Sequence, residues 1–201
     1  MQTELNYDTV FDAQHHFRLL LDSMSRPGKI NKLEVGEIFP PEGLNHAGAL
    51  TGFALLNADV TCFAAGPTGD DTVLYFLVNT GSQRAGIEEA DYIFLPEKYY
   101  STDLDKARIG TPKYPEDSAT IVAAAEELST EPIEGAMRLT LKGPGVNGEA
   151  EVFVVGVEER LFEFVKEQNS EYPLGLDLII TDRRSQVLCI PRSNNFSFTQ
   201  D

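Results

Sequence analysis

The adjacent histidines His15 and His16 are the first residues whose types could do chemistry, since imidazoles bind metals and transfer protons near neutral pH. They lie in DTVFDAQHHFRLLLDSMSRPGKI, where apolar residues recur at helical spacing. Consecutive helical residues point about 100° apart, so the two rings cannot converge on one metal. A helical zinc pair needs a spacing such as i and i+4. We therefore predict no metal site here and assign the pair to the surface or to packing.

The helix that carries the histidines is predicted to end at Pro27-Gly28. Its predicted core-facing residues are Ala13, Phe17, Leu20, Leu21 and Met24. His15 points away from that face and shares the opposite side with Leu19. Exposure of a leucine to water is unfavourable in an isolated chain, so His15 and Leu19 are predicted to form an interface.

Two glycine-rich segments have the spacing of phosphate-binding loops. Residues 143–148 read G-x-G-x-x-G, but strand-like residues follow where a dinucleotide fold needs a helix. Residues 81–86 have P-loop spacing, but Ile87-Glu88 stands where Lys-Ser or Lys-Thr is required. We interpret both as connecting loops, and we predict no catalytic residue and no cofactor.

The segment EYPLGLDLIITDRRSQVLCIPRSNN predicts a hairpin that turns at residues 182–185. Asp177 begins a very apolar strand, where a carboxylate is costly unless it is paired. Arg192 follows the neighbouring strand and comes within reach of Asp177. We predict an ion pair that fixes the hairpin. The alternative is an anion or ligand site formed by Arg18, Asp177 and Arg192.

The remaining pattern predicts one α/β domain over residues 1–201, in which helices cover both faces of a mixed sheet. Residues 70–78 fit a helix, although Val73, Tyr75 and Val78 would also suit a strand. Further helices are predicted at residues 47–56, 102–105 and 158–168. Strands are predicted at residues 29–35, 60–64, 92–95, 118–124, 136–141, 151–157, 176–181 and 186–190.

The composition excludes several classes of partner. The formal charge is −16, and such a surface repels nucleic acid and anionic lipid. No stretch approaches the roughly 20 apolar residues that cross a bilayer. The first eight residues are acidic and lack the pattern of a secretory signal, so we expect a cytoplasmic protein. Cys62 and Cys189 lie in apolar strands, which favours core positions over a disulfide framework.

Five stretches, in this order, resemble the PhnH family of the bacterial carbon–phosphorus lyase system for phosphonate degradation. They are FDAQHHFRLLLDSMSRPG, LLNADVT, PEDSATIV, LTLKGPGV and YPLGLDLIITDRRSQVLCIPRS. The resemblance spans Phe11 to Ser193. It implies a fold like the large domain of pyridoxal-phosphate-dependent transferases, built as an α/β/α sandwich, without the cofactor.

The resemblance also implies a homodimer that joins PhnG, PhnI and PhnJ in a core complex. With its partners, that complex makes alpha-D-ribose 1-methylphosphonate 5-triphosphate from ATP and methylphosphonate and releases adenine. We therefore expect a structural assembly subunit of a transferase complex, inactive alone. The alternative is a small-ligand-binding or catalytic subunit of the same complex, with phosphonate or a nucleotide as its ligand.

Overall fold

The structure, a computed structural model, describes residues 7–34 and 36–200. Its helices are α1 (Phe11–Ser25), α2 (His46–Leu55), α3 (Gly69–Thr80) and α4 (Glu159–Gln168). Short 3-10 helices span Thr102–Lys106, Pro115–Asp117 and Asn169–Glu171. The strands are β1 (Asn31–Lys32), β2 (Thr61–Ala64), β3 (Gln83–Arg84), β4 (Tyr92–Leu95), β5 (Thr120–Ala124), β6 (Glu127–Ser129), β7 (Met137–Lys142), β8 (Ala150–Val155), β9 (Asp177–Thr181), β10 (Gln186–Ile190) and β11 (Asn195–Gln200).

The strands form a seven-stranded mixed sheet, in the spatial order β1-β10-β9-β5-β4-β2-β3, and a four-stranded sheet, in the order β11-β7-β8-β6. In the large sheet β3, β2, β4, β5 and β9 pair in parallel, while β10 and β1 pair in antiparallel fashion. The ends of parallel strands meet at one edge of a sheet. The carboxyl edge therefore gathers the residues that follow β2, β4, β5 and β9, and the amino edge gathers their first residues.

One face of the large sheet is covered by α1, α2 and α3. Strand residues alternate between faces, so Ile179 of β9 points toward these helices while Leu178 and Ile180 point away. The helices supply Leu20, Leu50, Phe53, Val73 and Phe76 to this core, together with Cys62 and Cys189 from the strands. Both cysteines are buried and free, as the sequence predicts.

The other face is covered by the small antiparallel sheet together with α4. Leu139 and Leu141 of β7 and Phe162 of α4 join Leu178 and Ile180 in a second core. The predicted α/β class and mixed sheet are confirmed, and the chain is a single domain. The predicted α/β/α sandwich is wrong in detail, because a β-sheet supplies much of the second covering layer. The likeness to a transferase domain stays a prediction.

The predicted burial of α1 is wrong by a rotation about the helix axis. Leu20 is buried, but Phe17 is 47% exposed and Leu21 is 56% exposed. His16 is fully buried instead, and its ring has polar partners: Nδ1 lies 3.4 Å from the Tyr7 hydroxyl and Nε2 lies 3.2 Å from the Glu34 carbonyl oxygen. The buried side of α1 therefore carries His16, Leu20 and Ser23, with Leu19 and Met24 partly buried against the same core.

Most other predicted elements are confirmed, and the differences are local. Residues 69–80 form a helix, and the hairpin turns at residues 182–185. The predicted strand 29–35 is reduced to Asn31–Lys32, and its last position, Val35, lies outside the described residues. The short strands β3 and β6 and the longer β11 were not predicted. The loop at residues 143–148 joins β7 to β8 as a hairpin connection, as the sequence predicts.

Candidate functional site

The amino edge brings Asp177 and Arg192 together beside the turn that precedes β5. The Arg192 backbone N–H donates to Asp177 Oδ1 at 2.8 Å, and Arg192 Nη2 lies 3.6 Å from Asp177 Oδ2. Arg192 Nη1 also donates to the Pro115 carbonyl oxygen at 2.6 Å and to Ser118 Oγ at 2.5 Å. These contacts join the hairpin to the segment before β5, which is a structural role.

Arg18, the third residue of the predicted ligand site, lies elsewhere. It is exposed on α1, and within the described part of the chain no hydrogen bond or ion pair joins it to Asp177 or Arg192. The structure therefore brings two of the three residues together and leaves Arg18 apart.

The residues of the predicted interface also have different surroundings. His15 is exposed, whereas Leu19 is half-buried and packs against the core under α1. The exposed side of α1, which we call its outer face, carries Phe11, His15, Phe17, Arg18 and Leu21. Exposed apolar side chains on one side of a helix can mark an interaction surface.

The carboxyl edge of the large sheet holds a different arrangement, because α2 and α3 both begin there. Asn45 caps α2 by accepting a hydrogen bond from the Gly48 N–H at 2.7 Å. Its amide also donates to the Thr181 carbonyl oxygen at 2.9 Å, which ties the helix to the end of β9. At α3 the N-cap residue Thr68 makes no such side-chain bond. Ligands of open α/β sheets bind at this edge.

A crevice of about 550 Å³ opens between these helix starts and the ends of β4 and β9. The residues that characterise it are Leu44, Pro67, Thr68, Pro96, Tyr99 and Arg183. Glycines let its walls approach closely: an added Cβ at Gly43 would lie 2.6 Å from Thr68 Oγ1, and one at Gly66 would lie 2.9 Å from Pro96 Cγ. Both glycines have positive φ, which other residues rarely adopt. The crevice therefore depends on glycine at both positions.

Below the crevice lies a small cavity of about 10 Å³, which fits one water molecule or one ligand atom. Thr68, Thr72 and Thr181 line this floor. Thr72 is 5% exposed, and its hydroxyl makes no hydrogen bond to any residue that the structure describes. Thr181 reaches only a long contact, 3.5 Å, with the Ala123 carbonyl oxygen. The floor therefore offers the hydroxyls of Thr72 and Thr181 to at most one small polar group.

A second cavity of about 430 Å³, which we call the basic hollow, adjoins the crevice at Arg183. The residues that characterise it are Lys32, Glu34, His46, Arg183, Arg184 and Ser185. Three cations and one carboxylate therefore line it, whereas acids outnumber bases 32 to 16 in the whole chain. Each of these cations is paired with an acid, however: Lys32 with Glu34, Arg183 with Glu97 and Glu126, and Arg184 with Glu127.

The turn that carries Arg183 and Arg184 is held by the buried Asp182. Its carboxylate accepts hydrogen bonds from the backbone N–H groups of Arg184, Gln186 and Leu128 at 2.9, 2.8 and 3.0 Å. Burial raises the pKa of the Asp182 carboxyl, and these three donors oppose that effect. The network fixes the turn and so presents both arginines toward the cavities.

The sequence singled out none of the crevice residues, because they come from four separate loops and form no linear motif. The signal that could have identified these loops is their position, since each loop follows a predicted strand or precedes a predicted helix. Among residues 7–34 and 36–200, no group of three or more His, Cys, Asp or Glu side chains could hold a metal ion. No helix in this same part of the chain combines the length and apolar character needed to cross a membrane.

Comparison with known proteins assigns the chain to a family. The family described as "Bacterial phosphonate metabolism protein (PhnH)" matches residues 6–197. A relative from Rhizobium meliloti (strain 1021), "Alpha-D-ribose 1-methylphosphonate 5-triphosphate synthase subunit PhnH", is 28% identical over 191 residues, which cover 92% of this chain and 90% of the relative. The "Putative C-P lyase subunit protein HtxG" of Stutzerimonas stutzeri is 27% identical over 188 residues, covering 92% and 85% respectively.

Proposed function

Because this chain belongs to the PhnH family of bacterial phosphonate metabolism proteins, we propose that it is a non-catalytic assembly subunit of a carbon–phosphorus lyase complex. Membership over nearly the whole chain carries the proposal, since both relatives are named as subunits. We further propose that the subunit is a cytoplasmic homodimer that binds PhnG, PhnI and PhnJ. The assembled complex would form alpha-D-ribose 1-methylphosphonate 5-triphosphate from ATP and methylphosphonate.

The outer face of α1 supports an assembly role and is the surface that we propose for subunit contact. Phe11 and Leu21 are 74% and 56% exposed, and His15 lies on the same side. The half-buried Leu19 touches the core, so a charge at that position would damage the fold as well as any interface. Leu21 therefore gives the cleaner test.

The proposal predicts that the isolated chain releases no adenine from ATP and methylphosphonate, while co-expression with PhnG, PhnI and PhnJ yields a stable complex. Leu21→Asp should reduce dimer formation or partner capture, measured by sizing chromatography and tagged pull-down. Leu74→Asp on α3 is the matched control, because Leu74 is also 56% exposed.

Two outcomes would contradict this proposal. Adenine release by the isolated chain would show that it is catalytic. Unchanged dimer formation and unchanged capture in Leu21→Asp would remove the outer face of α1 as the contact surface.

A second candidate function is ligand binding within the same complex, and the crevice at the carboxyl edge favours it. The sequence placed such a site at Arg18, Asp177 and Arg192. Arg192 is occupied by protein partners there, whereas the crevice is open and has Arg183 and Tyr99 in its lining. We propose the carboxyl edge as the place of this ligand-binding role.

A further inference from the structure

We infer that the edge strand β11 is the contact between two copies of this chain, whose β11 strands pair in antiparallel fashion and join the two small sheets into one. The inference rests on the homodimer proposed above and assigns its contact surface. It leaves the outer face of α1 to other subunits. Its failure is distinguishable from failure of the assembly role, which partner capture and adenine release test separately.

β11 lies at an open edge of the small sheet. The sheet order places β7 on one side of β11 and no strand on the other. In an antiparallel pair, every second residue turns its backbone N–H and C=O groups away from the neighbouring strand. No backbone hydrogen bond from residues 7–34 or 36–200 reaches the outward groups of β11. The strand therefore offers pairing groups along its whole length, Asn195–Gln200.

The other three edge strands of the two sheets are protected against further pairing. β1 and β3 have two residues each, and each carries a cation, Lys32 or Arg84. β6 has three residues and begins with Glu127, and the Leu128 N–H donates to Asp182. Short length and charged side chains are the usual protection of an edge strand. β11 has six residues, none of them charged and none of them proline, so it has neither protection.

The core-facing side of β11 is covered only in part. Phe196 and Phe198 point to the core, where their ring centroids lie 6.3 and 5.9 Å from that of Phe162 on α4. Phe196 is 5% exposed, whereas Phe198 is only half-buried. The residues between them point to the opposite side of the sheet and are exposed. A further strand with an aromatic side chain on the core-facing side would therefore complete the cover of Phe198.

The residue pattern of β11 is complementary to itself, which identifies a second copy as the neighbour. In an antiparallel pair centred on Ser197, residues equally distant from Ser197 lie opposite each other. Phe196 of each copy then lies opposite Phe198 of the other copy, and Asn195 lies opposite Thr199. Aromatic pairs and polar pairs across antiparallel strands are both stabilising. A two-fold axis through Ser197 makes these contacts twice, as a closed dimer requires.

Charge also favours β11 as the contact between copies. The formal charge of the chain is −16, so two copies repel each other wherever acidic surfaces meet. A run of six uncharged residues brings no acidic side chain of the strand opposite an identical one. The edge that lacks protection against pairing is therefore also one where two acidic copies can approach.

The test is sedimentation equilibrium of the full chain and of the variants Ser197→Lys and Ser197→Asp. The parent chain should form a dimer. Ser197 is exposed, so either charge should preserve the fold, checked by circular dichroism, but it faces a like charge across the axis. Each variant should therefore raise the dimer dissociation constant at least about tenfold. An equal mixture of the two variants should restore the dimer, because opposite charges then face each other.

Thr140→Lys is the matched control for Ser197→Lys. Thr140 lies opposite Ser197 on β7, one strand further from the edge, so its replacement should leave the dimer unchanged. Leu21→Asp on the outer face of α1 should also leave the dimer intact, while lowering partner capture.

Four outcomes would overturn the inference. They are a monomeric parent chain, equal dissociation constants in Ser197→Lys and Thr140→Lys, a mixture of the two Ser197 variants that stays monomeric, and a dimer that Leu21→Asp dissociates but Ser197→Lys does not. A monomeric parent chain that loses partner capture in Ser197→Lys would assign the edge to a strand of another subunit instead.

Discussion

At the scale of single residues, His16 is the histidine with the most unusual surroundings. It is fully buried, its ring stacks with Tyr7 at a centroid distance of 5.7 Å, and Nε2 faces the Glu34 carbonyl oxygen. Burial lowers the pKa of the His16 imidazole, and neighbouring His15 lowers it further, against opposing effects of Glu34 and Asp12. The folded protein therefore prefers His16 neutral.

That preference predicts a pH dependence of stability. Because the folded-state pKa lies below the unfolded value of about 6.5, the unfolded chain binds the extra proton. His16 should therefore contribute its full stability above that value and lose it as the pH falls toward the folded-state pKa. The loss is at most about 1.4 kcal/mol per pH unit. Urea unfolding between pH 7.5 and about 5 measures it.

The comparison for this measurement is His16→Gln, which keeps hydrogen-bonding groups but does not titrate. Its free energy of unfolding should be lower than that of the parent chain at pH 7.5. That free energy should also decrease less than the parent's as the pH is lowered. An equal slope in the two proteins would mean that other groups produce the acid sensitivity.

Arg192 shows at the same scale how far a local pattern can predict a contact. The hairpin geometry of the sequence brought Asp177 and Arg192 together, and the structure shows the same pair. It could not show that Pro115 and Ser118 would take the remaining donors of Arg192, because those partners lie far away in the chain. A local pattern specifies the pair but not its surroundings.

At the scale of elements, the contact between α2 and α3 depends on a glycine. A Cβ added at Gly52 would lie 2.2 Å from Phe76 Cε1, and Phe76 is fully buried. Gly52→Ala should therefore force the two helices apart and lower the free energy of unfolding by about 1–3 kcal/mol. This overpacking would outweigh the gain in helix propensity, which is at most about 1 kcal/mol.

Gly86→Ala is the comparison for Gly52→Ala in urea unfolding. The added Cβ at Gly86 would meet only the end of the Glu88 side chain, at 2.9 Å, and that side chain can move. It should change the free energy of unfolding by less than about 0.5 kcal/mol. A stability of Gly52→Ala equal to that of the parent chain would show that α2 and α3 adjust without cost.

Periodicity predicted the elements well where burial is one-sided or complete, as in β9, β10 and the amphipathic α4. It failed for β3, β6 and β11, because strands of two or three residues have no period and β11 mixes Asn, Ser and Thr with its two phenylalanines. It also failed for part of α1, where His16 is buried while Phe17 and Leu21 are exposed. The crevice could not be predicted, since its residues converge only through the sheet topology.

At the scale of the whole molecule, the two cores share one sheet. Ile179 packs under the helices, while Leu178 and Ile180 pack under the small sheet and α4. Unfolding of β9 would therefore disrupt both cores. We expect a single cooperative unfolding transition, with a calorimetric enthalpy of about 140 kcal/mol near 60 °C, equal to the van't Hoff value.

The measurement is differential scanning calorimetry together with circular dichroism over the same temperatures. A van't Hoff enthalpy clearly below the calorimetric one, or two resolved transitions, would show that the cores unfold separately. Phosphate-containing ligands should be absent from the buffer, because any ligand that binds the folded state raises the apparent midpoint.

The pairing of β1 with β10 joins Asn31 to Val187, and α1 lies over that same strand. During synthesis on the ribosome, α1 therefore cannot pack against β10 until almost all of the domain has been translated. Closing so distant a contact is slow relative to local folding. In that interval the nascent chain exposes the apolar side chains of α1, so we expect chaperones to bind this helix.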